Sequence, residues 1–166
     1  MAASLLGRFG EAGFLRRHKG SELFLELAVR LRGSRGLSAA GARALAASVE
    51  CLVPRPELPS GAGPAARVPT GEQLRAITFR AQAQLYTLAP RDRRDLCAFL
   101  DLLEHAVPIL AGAGLRFSRL GLSARGRCLA LCERSSFGLL ATGHAAVRHL
   151  ALVAFMESPE IWPAPR

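Results

Sequence analysis

The residues able to do chemistry are few and widely spaced. The cysteines are Cys51, Cys97, Cys128 and Cys132. None forms a CxxC, so zinc-ribbon, thioredoxin-like and covalent haem sites have no support. Cys128 and Cys132 stand four apart, on one face if their segment is helical, and with His105, His144 or His149 they could be drawn as a metal set. Small buried hydrophobes are the better reading of free cysteines in an apolar chain. Asp101 and Glu104 sit beside His105, a grouping that suits the solvated face of a helix better than acid–base catalysis. His144 falls on an apolar stripe and is expected to be a hydrogen-bonded core histidine. The chain has no GxSxG, HExxH, phosphate loop or GxGxxG. No catalytic, cofactor-binding or metal-ligating residue is therefore expected, and the chain is not expected to be an enzyme on its own.

The remaining chemistry-bearing group is the single tryptophan. It closes "LALVAFMESPEIW", Leu150 to Trp162, an apolar stretch near the end of the sequence. Such a segment docks either on the protein's own core or on a partner.

These residues need elements to position them, and the sequence offers helices. Strand-type alternation is almost absent. Ser21 can cap an amphipathic helix carrying Leu23, Phe24, Leu27, Ala28 and Leu31, with Glu26 and Arg30 paired at i,i+4. Ser38 can cap a second, with Leu45, Val49 and Leu52 on one side, ending before Pro54. Residues 54–69, dense in Pro and Gly, read as a loop. Thr70 and Gln73 form a capping box ahead of Leu74, Ile77, Ala81, Leu85 and Leu88. Pro90 suits the first turn of the next helix, whose apolar face is Leu96, Phe99, Leu100, Leu103 and Val107, with Asp92, Asp95, Asp101 and His105 largely away from it. Ser123 can cap a short helix through Cys132 or a little beyond. The last helix, about Phe137 to Met156, is apolar on opposite faces: Leu140, His144, Val147, Ala151 and Phe155 on one, Leu139, Ala146, Val153 and Met156 on the other. It is expected to lie buried at the centre. The fold class is all-α, a single compact domain of about six helices. Residues 1–36 form an N-terminal amphipathic segment, 37–162 the domain and 163–166 a tail.

With 166 residues, half of them apolar, and a mean hydropathy of +0.21, the chain has the composition of one folded domain rather than a disordered segment. It is basic, with 22 Lys+Arg against 13 Asp+Glu and a net charge of +9. The arginines are scattered and aromatics few, without the basic stripe that nucleic-acid recognition needs, so no nucleic acid is expected. Arg16-Arg17 invites a search for a twin-arginine signal, but Glu22, Glu26 and Arg30 interrupt the apolar region that should follow. Neither that signal nor a general secretory one is visible. The expected location is the cytoplasm or the inner membrane, with the periplasm open only through export with a partner or a different start.

The order "LSAAGARALAASVECLVP", a Pro/Gly loop, "LAPRDRRDLCAFLDLLEHAVPIL", "RFSRLGLSARGRCLALCERSS" and "HLALVAFMESPEIW" resembles the gluconate 2-dehydrogenase subunit 3 family. These are small accessory subunits or domains of flavin-dependent dehydrogenases of the glucose-methanol-choline type. The matching positions are Leu52 to Pro54, Pro90 to Arg93, Phe117, Leu120 and Arg125, Glu133 to Ser135, and Phe155 to Trp162. Phe155-Met156 replaces the family's usual aromatic pair.

The resemblance implies a non-catalytic accessory subunit that binds, stabilises or helps mature an FAD-dependent alcohol or sugar dehydrogenase. FAD would reside in the large partner subunit, with a cytochrome subunit as a further partner and membrane contact only through the complex. Phe117, Leu120, Arg125, Phe155, Pro159 and Trp162 are the candidate partner-binding residues. The alternative is a basic helical protein that binds nucleic acid or, through Leu5, Leu6 and Phe9, an anionic membrane surface.

Overall fold

The computed structural model describes residues 36–53, 69–114 and 116–158. Among these are six α-helices, one 3₁₀ turn and no strand: α1 (Ala39–Leu52), α2 (Gly71–Thr87), α3 (Pro90–His105), α4 (Val107–Leu110), the 3₁₀ turn Phe117–Arg119, α5 (Leu122–Glu133) and α6 (Gly138–Met156). The all-α expectation holds. The amphipathic segment expected at residues 21–31, most of the loop at 54–69, and Pro159 and Trp162 lie outside the described residues.

Local chemistry sets most helix ends. Ser38 caps α1, its Oγ accepting from Gly41 N at 2.9 Å. At α2 the capping box is complete: Thr70 N donates to Gln73 Oε1 at 2.8 Å and Gln73 N to Thr70 Oγ1 at 3.3 Å. Pro90 opens α3 where its missing N–H loses no bond. Pro108 cannot donate back into the preceding turn, so α3 and α4 are separate at Ala106. Gly112 and Gly114, both at positive φ (69° and 66°), then turn the chain away from α4. The cap expected at Ser123 is displaced: α5 begins at Leu122 with Gly121 as its N-cap and no side-chain cap. Ser123 is already helical, so its hydroxyl cannot serve the N-cap position.

The core is built on α3 and α6. α6 packs against α1, α2, α3 and α5, as expected of a central apolar helix. One of its sides is nevertheless open: Thr142, Ala145, Arg148 and His149 are exposed, and so is Met156, at 66%. Burial on all sides, expected from composition, is completed instead in α3, where every residue from Asp95 to Glu104 is buried. That corrects the expectation for Asp95 and Asp101, which are drawn inward together with Glu104. Asp92 and His105 are exposed as expected. α3 and α6 approach closely because Gly143 sits where a Cβ would fall 2.2 Å from the Phe99 ring.

Candidate functional site

The acids of α3 do not line a solvated face. Glu104 is fully buried. Its Oε2 accepts from the backbone N of Ser118 at 3.0 Å, its Oε1 accepts from Ser118 Oγ at 2.7 Å, and Arg43 Nε lies 3.6 Å from Oε1. Ser118 in turn offers its carbonyl to Arg125 Nη2 at 2.8 Å, and Arg125 Nη1 pairs with Glu50 Oε2 at 2.6 Å. A second buried acid, Asp101, accepts from the hydroxyl of Ser38, the residue that caps α1. The network therefore runs Arg43–Glu104–Ser118–Arg125–Glu50 and ties α1, α3, the 3₁₀ turn and α5 together. Buried charge is tolerable only when paired and hydrogen-bonded, and here the partners are present.

Chemically this is a clamp. The Ser118 hydroxyl donates to a carboxylate already engaged by its own backbone N–H and facing Arg43, an arrangement that orders a turn rather than activating a nucleophile. His105 points out to solvent while Asp101 and Glu104 point in, so the three neighbours in sequence are not gathered.

The thiol and imidazole candidates are placed as packing groups. Cys97, Cys128 and Cys132 are buried and Cys51 half-buried, all as free thiols. Burial pushes the Cys132 thiol up to about 12, with Cys128 adding to the effect. Burial also raises Cys128 and Cys97 above the ordinary range, and the Asp101 carboxylate raises Cys97 further. Such thiols are poor nucleophiles and poor ligands. His144 is buried, and burial lowers its pKa, Glu133 opposing the shift and Arg148 adding to it. Among the described residues no three His, Cys, Asp or Glu side chains are grouped to hold a metal ion.

Of the residues singled out for a partner, Phe117 is fully buried, and Leu120 and Phe155 are nearly so. Arg125 is committed to Glu50 and Ser118. In this protomer Phe117 and Leu120 of the "RFSRL" stretch pack inward, while Arg116 and Arg119 are exposed. Among the described residues the large apolar side chains that do face solvent are others: Phe79 (72%), Ile109 (68%), Met156 (66%), Tyr86 (53%), Leu110 and Leu122. Sequence reasoning passed over Phe79 and Tyr86, although both fall off the Ile77/Ala81/Leu85 stripe of α2 and stand seven apart, a signal readable from spacing alone. No family model, curated protein or solved structure matches the chain.

Proposed function

We propose that this chain is an accessory subunit that binds and stabilises, or helps mature, an FAD-dependent alcohol or sugar dehydrogenase. The reading rests on the order of sequence blocks from Leu37 to Trp162 and carries over only the role of a small helical partner. The observation that favours it is the exposure of Ile109, Leu110 and Met156 on a bundle whose buried Glu104 and Asp101 are engaged internally. Large apolar side chains in water at α4 and at the end of α6 suit a protein surface better than a substrate. Met156 directly precedes the sequence holding Pro159 and Trp162, which makes that end a candidate docking edge.

The test is affinity capture of the tagged full chain from its native host, with flavin absorbance read on the eluate and the bound chains identified by mass spectrometry. A yellow eluate containing one large flavoprotein in stoichiometric amount is expected. Trp162→Ala should weaken that complex by about 2 kcal/mol, the size of an aromatic anchor. A colourless eluate free of any flavoprotein would overturn the proposal.

A further inference from the structure

The outer face of α2 carries a stripe that nothing in the protomer covers. Glu72, Arg75, Phe79, Ala83 and Tyr86 are all exposed, and their spacing of three and four residues puts them on one side of the helix. The opposite side, Ile77, Ala81 and Leu85, is fully buried. Phe79 is the midpoint of Gly71–Thr87, eight residues from either end. Tyr86 carries a guanidinium: Arg93 Cζ lies 5.9 Å from its ring centroid and Arg93 Nη1 donates to the Tyr86 carbonyl at 3.4 Å. Neither Glu72 nor Arg93 has an ion-pair partner among the described residues.

We propose that this face pairs with a second copy of the chain, α2 antiparallel to α2 about a twofold axis at Phe79. The arrangement makes the stripe complementary to itself. Phe79 meets its counterpart on the axis, the stem of Arg75 lies across the small Ala83, and Glu72 falls opposite Tyr86 and its attendant Arg93. Each dimer then holds two Glu72–Arg93 pairs, one at each end, and the helix dipoles oppose. An acidic residue at one end of the stripe disfavours polyanions, and two aromatic side chains with a charge at each end are too little apolar surface for a lipid bilayer. A single helix pair falls near or below the roughly 1,200 Å² of a standard interface, so association is concentration-dependent. This inference is independent of the accessory-subunit reading.

Sedimentation velocity of the purified full chain across the micromolar range tests it. The mass should rise from that of the 17.7 kDa protomer towards twice that value. Phe79→Glu, at a site already exposed, should raise the dissociation constant at least about tenfold without changing the helical circular dichroism. Glu72→Arg and Arg93→Glu should each weaken the dimer, and the combined variant should restore it by reversing both ends. A chain that stays monomeric throughout, or a dimer indifferent to Phe79→Glu, overturns the proposal. If the chain is monomeric and Phe79→Glu instead abolishes capture of the flavoprotein, the face belongs to that partner and self-pairing is wrong.

Discussion

At Glu104 one carboxylate receives both donors of Ser118 and faces Arg43, at full burial. Removing it leaves a backbone N–H and a hydroxyl without an acceptor and a guanidinium without its counter-charge. Glu104→Ala should therefore cost about 3 kcal/mol in urea unfolding, while Glu104→Gln, which keeps one acceptor, should cost less. A loss within a few tenths of a kilocalorie for Glu104→Ala would show that Ser118 is held by something else. His144 acts in the opposite sense. In the unfolded chain it titrates near 6.5, and in the folded protein burial holds it lower. As the pH falls below 6.5 the unfolded state therefore takes up a proton that the folded state resists, and stability drops by at most about 1.4 kcal/mol per pH unit. The drop ends once the pH passes below the folded-state value. His144→Gln cannot titrate, so its unfolding midpoint should fall less than that of the wild type between about pH 7 and pH 5.5.

Among the elements, the crossing of α3 and α6 depends on a missing side chain. A Cβ at Gly143 would lie 2.2 Å from Phe99 Cγ and 2.8 Å from Phe99 Cβ. The clash is with the root of the ring, which no rotamer relieves, so Gly143→Ala should destabilise by about 2 kcal/mol despite better helix propensity. Phe99→Leu should cost less in the Gly143→Ala background than in the wild type, a coupling that thermal unfolding of the four proteins would read. The helices themselves were legible because their determinants are local: Ser38 and the Thr70–Gln73 box act within three residues, and Ile77, Ala81 and Leu85 repeat at the helical period. The α3–α6 crossing was not legible, since Phe99 and Gly143 are distant in sequence. Nor was the fate of Asp101 and Glu104, whose partners Ser38 and Ser118 lie 63 and 14 residues away. A lone acid on a helix is expected in water unless a partner is known, and spacing does not name the partner. The open side of α6 was hidden for the converse reason: Met156 and Ala145 are apolar whether covered or not.

Over the whole molecule, the net charge of +9 suggests affinity for a polyanion, and internal pairing of arginines lowers it. Arg43, Arg80, Arg125 and Arg148 are engaged within the protomer, with Glu104, Ser158, Glu50 and Glu133. Along the sequence the basic residues are densest at Arg91, Arg93 and Arg94 and at Arg16, Arg17 and Lys19. An encounter through one such group makes at most three phosphate contacts. Each neutralised phosphate contributes about −0.9 to the slope of log affinity against log salt, so a three-contact encounter gives roughly −3. Fluorescence anisotropy on a short labelled duplex, titrated at several salt concentrations, should return weak binding with a slope of that size and no preference among sequences. A slope near −6 or steeper would mean that separate basic groups converge on one duplex, and it would move the basic nucleic-acid reading ahead of the accessory subunit.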